Sequence, residues 1–255
     1  MLDALFHSPF ELMISVLAVF LVGLAKGGLG ALSLLGVPLM ALFMPPVTAA
    51  AILLPVLIVM DGVSLMSWRG WFDRVTLKLV LPGAVLGIGI GWATAEIVSD
   101  AAVRLIVGLV AGAFVCRAMF ARLWGKRIVV GHRPWLGRIL GTVAGYTSFV
   151  AHAGGPPLQL YLMPMRIDPK LYTGTTVLFF AVTNVMKLIP YFALGQLGLA
   201  NLTLSAALVP VAVVATWIGA RIVRRMRPEI FYPFTYASIA LVAVKLCWDG
   251  LVGLM

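Results

Sequence analysis

Nearly the whole chain consists of apolar stretches long enough to cross a bilayer, separated by short breaks that contain Gly, Pro and Arg. A membrane-spanning helix needs about 20 predominantly apolar residues. The composition agrees, with 62% hydrophobic and 11% charged residues, whereas soluble domains carry roughly 25% charged residues. No polar segment is large enough to fold separately, so the sequence predicts one all-α, multi-pass transmembrane domain over residues 1–255.

The basic residues indicate how the chain crosses the membrane. The formal net charge is +10, but the basic residues cluster in short connections, as the positive-inside rule requires, so we expect no nucleic-acid partner. If each hairpin described below enters and leaves on one side, fifteen of the nineteen Lys and Arg residues fall on one face. We therefore predict an inner (plasma) membrane protein with that face in the cytoplasm and both termini outside.

Several kinds of chemistry are not expected. Cys116 and Cys247 each lie alone in an apolar stretch. They form neither a Cys-x-x-Cys pair nor a metal-ligand cluster, so we expect no metal, no cofactor and no redox chemistry. The sequence also lacks an HExxH motif. We predict that the protein is not an enzyme.

The chain contains two weakly similar halves, residues 9–124 and 136–253. Pro82 and Pro210 are 128 residues apart, and so are Gly91 and Gly219. Each half also has a Gly-rich interruption followed by a long apolar helix with a central polar residue. Such internal similarity is typical of inverted-repeat transporters. An odd number of spans in each half would give the two halves opposite orientations.

We predict that each half is a broken helical hairpin followed by three transmembrane helices. The first hairpin covers Pro9–Pro45, and the second covers Gly137–Met165. The predicted spans are Val47–Trp68, Val75–Ala95, Ala101–Leu123, Leu171–Leu194, Leu199–Val223 and Ile230–Leu251.

Three charged residues, Lys26, Asp61 and Lys187, fall in the predicted membrane interior. A lysine or aspartate at that depth costs roughly 2.5–3.5 kcal/mol on insertion scales, so each one needs a partner, a water-filled cavity or a ligand. One interpretation is that these residues line a substrate site. The other is that Asp61 pairs with Lys26 or Lys187 to hold helices together. The two interpretations are compatible.

The two Gly-rich interruptions are candidate anion-binding segments. Glycines permit unusual backbone conformations that expose amides, and the N-terminus of an adjoining short helix favours negative charge. The alternative is that Gly and Pro are simply common in membrane helices and permit close packing. Two breaks at matching positions favour the site. The candidate residues are Gly27, Gly28 and Gly30 in the first half and His152, Gly154, Gly155 and Pro156 in the second.

Polar residues beyond the second break extend the candidate site. Asn184 and Lys187 are three residues apart, so they share a helix face and form a polar stripe. Thr175 is a candidate hydrogen-bond donor, although bonding between helices explains such hydroxyls equally well. Histidine titrates near neutral pH, which makes His152, together with Asp61, a candidate for ion coupling. Trp68 and other tryptophans near span ends are predicted interfacial anchors.

Three segments of the chain resemble the sulfite exporter TauE/SafE family, and the resemblance extends over nearly the full chain. They are the Gly27-Gly28-Leu29-Gly30 break running to Gly36-Val37-Pro38, the Gly154-Gly155-Pro156-Pro157 segment, and Gly174-Thr175 with Asn184 and Lys187. The resemblance implies a membrane protein with two homologous halves that exports sulfite, sulfoacetate or related sulfur-containing or organic anions. These motifs identify the family better than the cargo.

We therefore predict a secondary transporter or exporter of a small anion, most simply sulfite or an organosulfonate such as sulfoacetate, that works by alternating access. With the cell interior about 100 mV negative, each exported negative charge gains about 2.3 kcal/mol. Export then needs no other energy source, whereas uptake would need a coupled proton or sodium ion. An anion channel and a carrier of another small organic anion are the alternatives. The sequence predicts no particular oligomeric state.

Overall fold

A computed structural model of the chain describes residues 8–30, 35–94, 97–123, 129–150, 153–193 and 198–254, and the regular elements among them are all helical. A π-helical turn at Ala25–Leu29 continues the first helix, and a 3-10 turn at Met163–Met165 follows the seventh. The α-helices of these ranges are α1 (Pro9–Leu24), α2 (Gly36–Met40), α3 (Pro46–Ser67), α4 (Arg74–Ala93), α5 (Asp100–Leu123), α6 (Pro134–Val150), α7 (Gly155–Leu162), α8 (Pro169–Ala193), α9 (Leu199–Arg224) and α10 (Pro228–Leu254).

Seven helices of the described residues are long and apolar enough to cross a membrane. This confirms the prediction of an all-α, multi-pass membrane protein. Six of them correspond to the predicted spans, and the seventh, Pro9–Leu29, is the first arm of the first predicted hairpin. The predicted ends at Ala95 and Leu194 lie outside the described residues.

The predicted starts of three helices are two or three residues too late. The second hairpin begins at Pro134 instead of Gly137, α8 at Pro169 instead of Leu171, and α10 at Pro228 instead of Ile230. Each helix therefore starts at a proline. Proline is well suited to the first helical turn, because the N–H group it lacks would have no intrahelical acceptor there and its φ angle is already helical.

The helices form two compact units, and each unit combines helices from both sequence halves. Unit 1 contains the described residues up to Trp71 together with Phe180–Met226. Unit 2 contains Phe72–Phe179 and the described residues from Arg227 onward. The boundary at Phe179 and Phe180 falls within α8, so this helix contributes residues to both units.

Unit 1 is built on close packing of α1 and α3 against α9. A Cβ atom added at Gly27 would lie 2.4 Å from the backbone nitrogen of Ala220 and 2.5 Å from the backbone oxygen of Thr216. Gly219 in turn lies against the Leu24 backbone. Small residues at these crossings let two membrane helices approach closely enough for extensive van der Waals contact.

Unit 2 contains two further close helix pairs, α4 with α6 and α5 with α10. The α4 and α6 backbones approach at four glycines, Gly83, Gly87, Gly141 and Gly145. The α5 and α10 backbones approach at Gly108 and Gly250.

Candidate functional site

The first Gly-rich break lies where α1 ends in the π-helical turn Ala25–Leu29. Gly28 has a φ angle of 136° and Gly30 one of 50°, values that side-chain-bearing residues rarely adopt. The helix therefore ends its regular course just after Lys26. Residues 31–34 lie outside the described part of the chain.

One face of α3 satisfies the backbone of this break. Ser64 Oγ donates a hydrogen bond to the Lys26 carbonyl oxygen at 2.8 Å, and the Trp68 indole nitrogen donates one to the Gly27 carbonyl oxygen at 3.0 Å. A helix that departs from regular geometry leaves carbonyls without intrahelical donors, and leaving such groups unsatisfied is costly in the membrane interior. Ser64 of α3 and Trp68, the residue that caps its C-terminus, supply two of these donors.

Asp61, on the same face of α3, pairs with Lys26. The Lys26 Nζ atom lies 2.6 Å from Asp61 Oδ1, and the Asn184 amide nitrogen donates to Asp61 Oδ2, also at 2.6 Å. The side chains of Lys26 and Asp61 are only 11% and 5% exposed. The Lys26 ammonium also lies 5.5 Å from the centre of the Phe180 ring, a favourable cation–π distance.

Lys187 adds a second buried lysine side chain to this cluster. It lies one helical turn after Asn184 on α8 and is only 2% exposed. It interacts electrostatically with both Lys26 and Asp61. Two lysines and one carboxylate give the cluster a formal charge of +1 when all three groups are ionised.

Unit 1 thus brings together seven of the residues that sequence analysis selected. Asp61 pairs with Lys26, as one of the two interpretations of the interior charges expected, and Asn184 shares the carboxylate. The seven are Lys26, Gly27, Gly28, Gly30, Asp61, Asn184 and Lys187.

The candidates of the second break that the structure describes lie in unit 2. Gly154 precedes α7, and Gly155 and Pro156 form its first turn. The Ala153 N–H group donates to the Thr147 carbonyl oxygen at 2.9 Å, which ties the start of this segment to the end of α6. His152 lies outside the described residues.

Thr175 is fully buried in unit 2, and its hydroxyl group has two protein partners. It donates to the Leu171 carbonyl oxygen at 2.6 Å and accepts from the Asp73 N–H group at 2.8 Å. Thr175 therefore anchors the residue that precedes α4.

Trp68 is not the interfacial anchor that its position near a span end predicted. It is 2% exposed, its indole N–H bonds to the first break, and the Arg224 guanidinium lies 5.5 Å from the centre of its ring. The missed signal was spacing, because Asp61, Ser64 and Trp68 follow one another at three and four residues and so share a helix face. Trp71, Trp92 and Trp248 are exposed on the protein, as expected for residues that contact lipid or the interface.

A polar group around Asp73, at the start of α4, was not predicted from the sequence. Its carboxylate accepts hydrogen bonds from Thr76 and from its own helix's Val75 N–H, and it lies 2.5 Å from His132 Nε2. Burial raises the pKa of the Asp73 carboxyl, but these hydrogen bonds outweigh burial and hold the pKa below its ordinary value. Asp73 and His132 are 59 residues apart, so no local spacing indicated that they pair.

Comparison with known proteins identifies one family. The family model described as sulfite exporter TauE/SafE matches residues 15–246. No curated protein and no solved structure matches the chain.

Proposed function

Because the chain belongs to the sulfite exporter TauE/SafE family, we propose that it exports sulfite or an organosulfonate such as sulfoacetate, and that the Lys26–Asp61–Asn184–Lys187 cluster binds this anion. TauE/SafE is a family of membrane transporters, not of enzymes. The protein is accordingly a multi-pass membrane transporter, and its family implies a small anionic substrate. The proposal adds the cargo, the binding residues and the mechanism.

The observation that carries the proposal is that two buried lysine side chains, Lys26 and Lys187, lie near a single carboxylate, Asp61. A buried lysine is expensive unless an opposite charge compensates it. The two oxygens of Asp61 accept from Lys26 and Asn184. A bound anion would be attracted by both lysine side chains, so the cluster is better suited to an anion than to a cation such as sodium.

The donor chemistry of the cluster suits a sulfur oxyanion. Each lysine ammonium has three N–H donors, whereas sulfite and sulfonate groups present three oxygen acceptors at short distances from one another. Lys26 is placed next to the Gly-rich turn and Lys187 on α8, so donors would reach the anion from two different helices. Release to the outside is driven by the membrane potential, which supplies about 2.3 kcal/mol for each negative charge at 100 mV.

We further propose that the protein works by alternating access between two inverted repeats, residues 9–124 and 136–253. The helix directions inside the units support this topology. Successive contacts show that α1 runs parallel to α9 and α4 parallel to α6, whereas α5 and α10 are antiparallel. In both parallel pairs, the first hairpin helix of one half (α1 or α6) packs on the second full span of the other half (α9 or α4). Two copies of one structural unit that exchange their hairpins would give this arrangement.

Other parts of the proposal rest on sequence alone. We propose an inner-membrane location with both termini outside, because this topology collects most basic residues on the cytoplasmic face. We also propose that the second break serves the anion path in its own half, through His152, Gly154, Gly155, Pro156 and Thr175.

The cargo is tested by thermal unfolding of the detergent-purified protein with added anions. A ligand that binds only the folded state raises the melting temperature of the protein, and the increase grows with the logarithm of the ratio of ligand concentration to Kd. We expect stabilisation by sulfite or sulfoacetate at lower concentration than by sulfate, thiosulfate or simple carboxylates. Lys187→Gln should abolish this stabilisation and the flux of sulfite in reconstituted vesicles.

Lys245→Gln is the matched control. Lys245 also lies in a membrane-spanning helix, but it pairs with Asp249 of the same helix at 2.8 Å and belongs to unit 2. It should retain both stabilisation and flux. If none of the anions stabilises the protein, or if Lys187→Gln transports sulfite at the wild-type rate, the proposed site is wrong. Flux that does not saturate, accompanied by single-channel conductance, would favour the anion channel.

A further inference from the structure

A second cluster of polar side chains lies in unit 2, outside the proposed anion site. It joins three segments of the chain: Asp73 before α4, His132 before α6 and Thr175 on α8. The Asp73 and His132 side chains are 13% and 36% exposed. The imidazole is therefore partly exposed at the surface of the protein, while the carboxylate is largely shielded.

Every polar group of Asp73 is held in place. Oδ1 accepts from the Val75 N–H group at 3.0 Å, and Oδ2 accepts from the Thr76 hydroxyl at 2.6 Å and faces His132 Nε2. The backbone N–H group of Asp73 donates to Thr175. The carboxylate therefore cannot turn away when the charge of the imidazole changes.

The other charged or ionisable groups near the pair are Tyr161, Arg74 and Arg133. From α7, Tyr161 interacts electrostatically with Asp73, but a phenol ordinarily titrates near pH 10. Arg74, on α4, lies 5.9 Å from the centre of the Phe72 ring, and Arg133 follows His132 and is exposed. Both guanidinium groups stay charged throughout the physiological range.

The position of His132 connects its charge to the packing of α6 on α4. His132 lies two residues before α6 begins, and its partner Asp73 is the residue that caps α4. The two helices run parallel from this end, with Gly141 against the Val80 backbone and Gly145 against Ala84. A protonated imidazole adds a charge-assisted hydrogen bond between the two helix starts, which is stronger than a neutral one.

We propose that the Asp73–His132 pair is a proton-binding site that makes transport depend on pH. The inference rests on the proposed transport function and concerns a pair other than Asp61 and His152, the coupling candidates of the sequence analysis. Asp61 is unsuited to this role because its two oxygens are occupied by Lys26 and Asn184 and its side chain is only 5% exposed.

The test uses the three histidines of the chain, His7, His132 and His152. His7→Gln, His132→Gln and His152→Gln are each reconstituted, and the exchange of labelled sulfite is measured between pH 5 and pH 8, the range in which histidine titrates. Sulfite itself gains a proton in this range, so each variant is compared with wild type at the same pH. Asp73→Asn is included because asparagine caps a helix as well as aspartate does.

We expect His132→Gln and Asp73→Asn to lose the pH dependence of exchange, and the control His7→Gln to keep it. A flat profile in wild type, an unchanged profile in His132→Gln, or a flat profile in His152→Gln alone would each overturn the proposal.

A measurement without any anion separates this proposal from the proposed function. The melting temperature of wild type should exceed that of His132→Gln by more degrees at pH 5.5 than at pH 8, because the ion pair requires the protonated imidazole. If this difference is present but wild type moves no anion, the proposed function fails and the proton site stands. If the difference is the same at both pH values, the proton site is wrong.

Discussion

Replacing Asp61 by asparagine tests the central ion pair of unit 1. The substitution keeps the size of the side chain but removes the only carboxylate seen within bonding distance of Lys26 in the described part of the chain. The buried Lys26 ammonium then loses its carboxylate partner. Removing one partner of a buried ion pair typically costs about 3–5 kcal/mol, because the other charge is left uncompensated.

The expected loss is large enough for a simple melting experiment. For a protein of this size, about 1 kcal/mol lowers the melting temperature by roughly 2–4 °C, so Asp61→Asn should melt on the order of 10 °C below wild type. Asp249→Asn is the control, since Asp249 pairs with Lys245 one turn away on the same helix and this pair does not join two helices. Its loss should be clearly smaller.

A double variant separates the pair from its surroundings. Lys26→Met with Asp61→Leu replaces both charges by apolar groups of similar volume, which is often neutral or stabilising. We expect it to recover most of the stability that Asp61→Asn loses. The reasoning is refuted if Asp61→Asn melts with wild type, or if the double variant is as unstable as the sum of the two single changes.

Three further predictions concern the helix contacts and the cap of α4. Gly27→Ala should destabilise the folded protein by about 1–3 kcal/mol, because the new Cβ would lie 2.4 Å from the Ala220 backbone. Gly62→Ala on α3 is the control, since a Cβ there has nothing within 4 Å, and it should be neutral or slightly stabilising. Equal melting temperatures for the two variants would contradict this prediction. Trp68→Phe keeps an aromatic ring but leaves the Gly27 carbonyl without the indole N–H donor. Chemical or thermal unfolding should then show a loss of stability of about 1–3 kcal/mol. An unchanged stability would mean that this hydrogen bond does not stabilise the Gly-rich break. Because folding lowers the pKa of the Asp73 carboxyl, this group stabilises the folded state fully above its unfolded-state pKa, and the stabilisation is lost as pH falls through the lower folded-state pKa. Wild type should therefore lose stability in acid faster than Asp73→Asn. Parallel acid-unfolding curves for the two proteins would contradict the assignment.

The class of the protein and the outline of its helices follow from composition and local rules. Apolar stretches of about 20 residues form helices in lipid because only helices and closed barrels satisfy the backbone there. The helix starts at Pro134, Pro169 and Pro228 are also local, and the prediction missed them by two or three residues because it followed hydropathy alone. The Gly-rich break and the interior charges were visible because glycine clusters and buried lysines are unusual in a span.

Which groups meet was decided by tertiary structure. Lys26 and Asp61 are 35 residues apart, and Asp61 and Asn184 are 123 apart. Nothing in the sequence chooses between Lys26 and Lys187 as the partner of Asp61, because the choice depends on how α1, α3 and α8 pack. The pairing of Asp73 with His132 has the same origin.

Local physics determines where this chain is helical and where the helix must break, because hydropathy, proline and glycine act within a few residues. The charge pairs depend on distances of about 3 Å between side chains from helices far apart in the sequence. Those distances are set by the close backbone contacts at small residues such as Gly27 and Gly219, so only the packed structure determines them.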